Sequence, residues 1–479
     1  MIFKKYIVIA VITLCTLNFS CTKDFEEVNT DPNRISQISP GSLLNPIVYE
    51  VSSFNTLRAD AFTFDIMQVA LPYPSVAGGV HRYDISESAG NSTWSTYYRW
   101  LSNVKEMLAT SEKAQDVNYQ AIALTLNAWI YSNLTDCFGD IPMVEASSGE
   151  EGILKPKFNT QQEVYTKIIA DLEKANTLYD ATKPMIYATD ILYGNSVAGW
   201  KRFTNSLRLR LLLRVSKRTE MDAFTKMATI LNNPTVNPVF TNINEGAVVK
   251  LSGVTPLISP WGRAIDFTTF RATGGFFLDN LNAFADPRRA KFNSFSRTLA
   301  GASTGTYQGI PSGYSPNDPA PNFQPSNFNV ALVTAPMSNI IMTYAEVEFI
   351  RAELAQKGLI TADAKTAYER GVKAAIEQWG VTMPTNYFTN TATAYNGTLE
   401  RIMLQKYYAL FFTDYQQWFE YRRTGFPVLP KNAGMLNDQK LPVRFRFPTT
   451  VSSNNRDNYL KAVENMGGDN INTKLWWEK

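Results

Sequence analysis

Residues 120–142 read QAIALTLNAWIYSNLTDCFGDIP, and this stretch sets the fold class. Ile122, Leu126, Ile130 and Leu134 recur every four positions, which is one apolar stripe of an α-helix. Gly139 and Pro142 supply its stop. Working outward, Thr160 and Glu163 stand in capping-box spacing ahead of Val164, Ile168, Leu172, Ala175 and Leu178, which predicts a second helix packed antiparallel on the first. A third is expected from about Trp200 to Lys217, with Trp200, Phe203, Leu207 and Leu211 on one side. Arg202, Arg208, Arg210 and Arg214 crowd its other faces, a pattern of solvated or carboxylate-paired arginines. Further on, Tyr344–Lys357, Ala362–Trp379 and Leu399–Tyr421 show the same periodicity, the last closed by Thr424-Gly425-Phe426-Pro427. Paired helices with small and aromatic residues on their contact faces are the grammar of tetratricopeptide-like arrays, although no clean repeat of about 34 residues runs through the chain. The expected fold is therefore mainly α: a tetratricopeptide-like helix-pair scaffold over about 40–230 and 339–427, with minor β.

Two segments interrupt the helical pattern. Between about 232 and 338, Gly, Pro, Ser, Thr and Asn are dense, and from Gly301 to Pro336 prolines and glycines recur every few residues. Residues 71–99 form a shorter region of the same kind, in which Pro72, Pro74, Gly78, Gly79 and Gly90 alternate with Tyr73, His81, Tyr83, Trp94, Tyr97 and Tyr98. Long irregular insertions in a compact scaffold are usually functional, so both are expected to form a loop-built ligand side.

Composition narrows the function. The 479 residues are 44% hydrophobic and 19% charged with a formal net charge of +3, which excludes a disordered chain and removes the basic footprint of a nucleic-acid binder. The single histidine, His81, excludes multi-histidine metal sites. No GxxxxGK[ST], HExxH or CxxC motif occurs, and Gly194-Asn195-Ser196-Val197-Ala198 lacks the second glycine of a nucleophile elbow. No catalytic residue, metal or cofactor is assigned.

The start of the chain carries export grammar. Lys4 and Lys5 precede fourteen mostly apolar residues from Tyr6 to Phe19, too few for the roughly 20 that span a bilayer as a helix, so residues 1–20 read as a cleaved signal peptide. Leu17-Asn18-Phe19-Ser20-Cys21 resembles a bacterial lipobox, with Cys21 as the acylated first residue of a single mature domain, 21–479. With Cys15 removed and Cys21 lipidated, Cys137 is the one remaining thiol, and no internal disulfide is possible.

Several phrases, taken in order, carry a family resemblance: Asp24-Phe25-Glu26-Glu27-Val28-Asn29-Thr30-Asp31-Pro32-Asn33, Phe138-Gly139-Asp140-Ile141-Pro142, Trp200 with Asn205-Ser206-Leu207 and Arg210, Asp286-Pro287-Arg288, Glu346 to Glu353, Glu400 with Gln405-Lys406, Trp418-Phe419-Glu420-Tyr421-Arg422-Arg423-Thr424-Gly425, and Pro442-x-Arg444-x-x-x-Pro448. The chain resembles the SusD/RagB family, closest to its SusD-like second branch. Thr449 and Thr450 depart from it, following Pro448 where an acidic residue is common. The resemblance implies an outer-membrane, cell-surface lipoprotein that captures oligosaccharide without catalysis and acts as the lid of a SusC-like TonB-dependent transporter. A peptide-capturing relative on the same scaffold and a surface glycoside hydrolase are the alternatives.

Sugar capture needs flat apolar faces for the C–H side of pyranose rings and polar groups for their hydroxyls. Aromatics at helical spacing, such as Trp129, Trp200 and Trp418, are expected in the core. The candidate ligand contacts are those in the loop regions: Tyr73, His81, Trp94 and Tyr97 in the first, and Trp261 beside Arg263 and Phe276-Phe277 in the second. Anchoring gives the first test. Cys21→Ala is expected to release the folded protein from the outer-membrane fraction, because several acyl chains at about 0.8 kcal/mol per buried CH₂ make attachment effectively permanent. Wild-type retention of the variant on fractionation would exclude the lipid anchor.

Overall fold

A computed structural model describes residues 39–479, so the expected signal segment and the expected lipidation site at Cys21 lie outside the described residues. The helices fall into two blocks. In the first, α1 (Pro40–Arg58), α2 (Asn91–Lys113), α3 (Val117–Phe138), α4 (Gln161–Leu178) and α5 (Val197–Arg214) pack largely in sequence order, each against its neighbour. After the short α6 (Ala223–Asn232) and α7 (Gly275–Ala283), the second block comprises α8 (Tyr344–Gln356), α9 (Ala364–Glu377), α10 (Leu399–Ala409) and α11 (Gln416–Thr424). Short helices α12 (Thr449–Asn454) and α13 (Arg456–Met466) close the chain. This is the expected mainly-α, tetratricopeptide-like arrangement.

Six of the scaffold helices, α3, α4, α5, α8, α9 and α10, start where a side-chain oxygen satisfies an orphan amide. Thr160 accepts from Glu163 N at 3.2 Å while the Glu163 carboxylate accepts from Thr160 N at 2.8 Å, completing the capping box read from the sequence. Ser196, the serine of the defective elbow, caps α5 by accepting from Gly199 N at 3.1 Å, which accounts for its presence without chemistry. The helix α3 differs from the one-faced helix its stripe predicts. Nearly every side chain from Ala121 to Phe138 is buried, because α2, α4 and α5 enclose it on several sides. The long helix expected over Leu399–Tyr421 is two helices. Leu410, Phe411 and Phe412 all turn into the core, and the backbone reverses through positive φ at Phe412 and Asp414 before α11 begins.

Among the described residues the strands pair in two-stranded antiparallel ladders, with isolated bridges beside them, the parallel one between Gly274 and Ile310 among these. The longest joins β4 (Ala247–Leu251) to β8 (Met337–Met342), with Val249 opposite Asn339 and Leu251 opposite Met337. It fastens the ends of the irregular insertion beside α8. Among the described residues no helix is long and apolar enough to cross a membrane.

The two blocks are joined by buried charge. Arg210 on α5 donates to the Glu346 carboxylate of α8 through Nε at 2.7 Å and Nη2 at 2.5 Å. Arg214, one turn on, lies 3.2 Å from Asp136 of α3 and 3.4 Å from Glu420 of α11. Arg423 forks onto Glu353 at 2.8 and 2.6 Å, and Arg422 onto Glu478 at 3.2 and 2.8 Å. Lys406 reaches Glu420 at 2.8 Å. Of the four arginines on α5, half-buried Arg202 pairs with Glu245 and buried Arg208 with the half-buried Glu173, while Arg210 and Arg214 lie deepest. Asp286 and Arg288 form another buried fork, with Tyr387 OH donating to Asp286 at 2.6 Å, so the Asp-Pro-Arg phrase is architectural. Thr449 and Thr450 open α12, and the acid facing Arg444 is Asp469 at 3.0 Å.

The Arg423 guanidinium beside Glu353 outweighs the desolvation of burial and holds its carboxyl down at about 2. A carboxyl that low stabilises the fold above its unfolded pKa, near 4.5, and the stabilisation disappears as pH falls toward 2. Glu353→Gln is therefore expected to cost about 3 kcal/mol at pH 7 in urea unfolding. The gap from wild type should close as the pH is lowered from 4.5 to 2.

Candidate functional site

The strand β1 (Ala70–Pro72) pairs with β5 (Arg271–Thr273), Leu71 opposite Ala272, and this ladder brings the two loop regions together. Glycines let a third segment approach. A Cβ on Gly274 would stand 2.2 Å from Gln68 O, and one on Gly309 would lie 2.7 Å from the backbone of Gly274 and Gly275. Through that gap Gly275 N donates to Ile310 O at 2.6 Å and Ile310 N to Thr273 O at 3.1 Å. Gln68 then ties in the loop after α11. Its amide donates to Pro430 O at 2.9 Å, its carbonyl meets Ser312 Oγ, and Asn432 bonds Ser312 O. Arg82 adds a contact from Nε to Gly434 O at 2.6 Å.

Leu71, Ala272, Ile310 and Tyr314 form a small apolar cluster separate from the main core, with Tyr73 packed on it. The Tyr73 and Tyr314 rings stack with centroids 6.4 Å apart and planes 28° from parallel. Beside them Tyr73 N donates to Phe270 O at 3.0 Å. Phe270 itself is 79% exposed and holds φ at +54°. A bulky residue there is strained by roughly 1–3 kcal/mol, and its ring gives up the benefit of burial as well. Adjacent, a cavity of about 600 Å³ opens between Phe276, Asp279 and Asn280 of α7, Pro311–Ser312 and Lys431–Asn432. The surface as a whole offers stacked rings, an apolar floor and scattered amide, ammonium and carboxylate groups, which suits a neutral polyhydroxylated ligand.

The sequence candidates separate on this frame. Tyr73 and Phe276 lie on the surface just described, Phe276 half-buried with its ring 5.8 Å from that of Tyr407. His81 is buried behind it, on a single turn at Val80–Arg82. Phe277 is also closed to solvent, since Phe276 and Phe277 sit on α7 and not on a loop, and Phe277 faces Tyr408 and Phe411. Trp94 and Tyr97 belong to α2 and not to the first loop. Gly90, read as a loop residue, is the N-cap, and Tyr97, Leu101, Val104, Met107 and Ser111 make the buried stripe that follows. Tyr97 is sealed in the core, its hydroxyl donating to Asn55 at 2.7 Å. Trp94 lines a different cavity. Trp261 leans on Phe267 and Phe412, whereas Arg263 stands in solvent paired with Asp266 at 2.5 Å, so these neighbours in sequence do not act together. The reading missed Phe270, Tyr314 and the Lys431–Asn432 loop. Phe270 was legible only as an aromatic in an irregular stretch, and the other two need the tertiary contact through Gln68.

The family described as "Starch-binding associating with outer membrane", SusD-like_2, matches residues 32–448, and the chain belongs to it. Among solved structures, a SusD homologue from Bacteroides fragilis shares 22% identity with a TM-score of 0.77, covering 92% of this chain and 100% of its own. A chitin-binding SusD homologue from Flavobacterium johnsoniae shares 22% with a TM-score of 0.75, covering 91% and 97%. A third, called a chitin-binding protein, reaches 0.79 at 21% identity, covering 92% and 100%. These likenesses establish the shared fold. The comparison with curated proteins finds no match.

Behind the site, burial and the neighbouring Arg82 guanidinium push His81 down to about 4, while a carbonyl of Tyr314 pulls weakly the other way. Between pH 4 and 6.5 the unfolded chain therefore binds the extra proton, and stability falls as pH drops through that window. His81→Leu should remove this slope, at most about 1.4 kcal/mol per pH unit. Thermal melts of the two proteins from pH 7 to 4 should show the wild type losing stability relative to the variant. Parallel curves would exclude a neutral buried imidazole.

Proposed function

We propose that this protein is a lipid-anchored collector at the cell surface, which captures oligosaccharide on the Tyr73–Tyr314–Phe270 surface and passes it to a SusC-like TonB-dependent transporter for which it serves as lid. The observation that carries the reading is Phe270. A solvent-exposed phenyl ring held at positive φ is costly to the fold, and such cost collects where a ligand repays it. Tyr73, bonded to the Phe270 carbonyl, stacks on Tyr314, and Pro311, next in sequence to Ile310 of that cluster, lines an open cavity, the form a sugar-binding surface takes. Membership of a family described as starch-binding and outer-membrane-associated supports the ligand class and the location, and the relatives whose names state chitin binding support a carbohydrate. The lipobox at Cys21 supports the anchor.

Binding without hydrolysis is favoured by the carboxylates. A glycosidase needs two, about 5–10 Å apart across the scissile bond, and among the described residues lining the cavity Asp279 is the one acid. A collector must also release its cargo, so affinity is expected between about 1 mM and 1 μM.

Phe270→Asn separates function from folding. Asparagine tolerates the left-handed region, so the variant should melt at or above the wild-type temperature yet bind at least tenfold more weakly, about 1.4 kcal/mol. Tyr73→Ala should lose a similar share. The measurement is calorimetry of protein lacking residues 1–21 against a panel of soluble oligosaccharides and peptides. Unchanged affinity in both variants would place the ligand elsewhere, exclusive peptide binding would favour the peptide-capturing alternative, and cleaved oligosaccharide after incubation would make the protein a hydrolase.

A further inference from the structure

The cavity that Trp94 lines is built separately from the Tyr73 surface. Trp94 and Tyr98, one turn apart on α2, form one wall, with ring centroids 4.9 Å apart. The small ladder of β2 (Ile141–Pro142) and β3 (Phe158–Asn159) contributes Pro142 and Phe158, and α12 closes the rim with Thr450 and Asn454. The volume is about 280 Å³, at the small end for ligand pockets and matched to one or two sugar rings.

Three observations bear on its occupant. First, the aromatic wall is fixed in place. The Trp94 indole stands perpendicular to Phe138 at 5.1 Å and to Phe447 at 5.7 Å, and Tyr98 is pinned by its hydroxyl donating to Pro142 O at 2.7 Å. A rigid ring gives stacking area at little entropic cost. Second, among the described residues no charged side chain lines the cavity, so an ionic ligand would find no counter-charge there. Third, some of the polar groups at its edge are unspent, although Asn455 donates to Pro156 O at 2.7 Å and Ser147 Oγ bonds Ser102 Oγ at 2.7 Å. Among the described residues none hydrogen-bonds Trp94 Nε1, Thr450 Oγ1 or Asn454 Nδ2, which leaves two N–H donors and a hydroxyl beside an apolar wall. Rings with proline and aromatic C–H surface, neutral walls and unengaged donors are what an uncharged pyranose engages through its C–H face and its hydroxyls.

From this geometry we infer a second carbohydrate site, at which one terminal or internal pyranose unit of a neutral glycan stacks on Trp94 and hydrogen-bonds at the Thr450–Asn454 rim. The inference rests on the oligosaccharide reading above and adds a site to it. Its occupancy does not depend on Tyr73 or Phe270.

The test uses protein lacking residues 1–21, which leaves the compact unit Pro40–Lys479 whole, labelled with 5-fluorotryptophan. The Trp94 fluorine resonance is assigned with Trp94→Phe, and malto-, cello-, chito- and xylohexaose are titrated in turn. At least one should shift that resonance saturably, equally in wild type and in Tyr73→Ala. Asn454→Phe, an exposed rim position where the new ring fills the cup without disturbing the core, should weaken the shift at least tenfold while leaving the melting temperature unchanged. A glycan that binds in a Tyr73-dependent way and never moves the Trp94 signal would overturn the second site and leave the capture reading standing. A Trp94 shift untouched by Asn454→Phe, or one produced by short peptides and by no sugar, would overturn it too. Absence of binding by every hexaose at either place would bring down the capture reading, and this inference with it.

Discussion

The structure hangs on a run of buried ion pairs. Arg210, Arg214, Lys406, Arg422 and Arg423 meet Asp136, Glu346, Glu353, Glu420 and Glu478 in an interior shared by α3, α5, α8, α10, α11 and the C-terminus. Desolvating such groups costs several kcal/mol per ion, so the pairs are a poor source of net stability relative to packed hydrocarbon. What they do supply is register. A forked guanidinium–carboxylate contact tolerates little displacement, and shifting α5 by one turn against α8 would leave Arg210 and Glu346 charged, buried and unpaired. Aromatic rings complete the arrangement, with the Arg214 guanidinium 4.9 Å from the Phe419 centroid and Arg422 4.5 Å from that of Trp477. The one thiol among the described residues, Cys137, is buried and free, so polar and apolar contacts hold the two helical blocks without a covalent tie.

Fixing the blocks fixes the site, because the loops that build it are held by scaffold residues and not by one another alone. Tyr407 of α10 donates to Met67 O at 2.9 Å and Tyr408 to Phe277 O at 2.9 Å, so the segment before β1 and the helix α7 both report the position of α10. Arg271 is clamped by Asp60 and Asp65 just after α1, which sets the start of β5 and with it Phe270. A binding surface made of irregular chain can thus keep a stiff shape, which lowers the ordering cost on association.

How far this was legible in the sequence depends on where each signal is stored. Helices with a side-chain cap and an apolar stripe, such as Thr160 ahead of α4, are local facts and were read to within a few residues. The arginines of α5 were also readable as solvated or carboxylate-paired, and Arg210 and Arg214 take the second course in the interior. Trp94 and Tyr97 were misplaced because Gly90 and the prolines before it hid a helix start, although the spacing of Tyr97, Leu101 and Val104 already carried the helical period. The break at Leu410–Tyr415 was invisible for the opposite reason: its residues continue the apolar pattern, and only the surrounding core decides that Phe411 and Phe412 point inward on a reversing backbone. For the site itself, Phe270 and Tyr314 gain meaning from a ladder that sets Leu71 opposite Ala272 and from a glycine-lined approach of Gly309 to Gly274, pairings between segments far apart in the chain. No local pattern encodes that meeting.

Two shallow aromatic sites on one compact unit, as proposed above, would change the arithmetic of capture. A single stack of rings is worth only a kcal/mol or so beyond the area it buries, and a site limited to that releases its ligand quickly. When one polymer reaches both places, the second contact forms at an effective concentration in the millimolar range, and avidity exceeds either affinity by about 10²–10⁴ without any new contact. A short fragment, unable to span the distance, keeps the weak affinity of one site. A collector built this way would hold long chains and let short ones go, a preference set by the spacing of Trp94 and Tyr73 on the scaffold more than by the chemistry of either pocket.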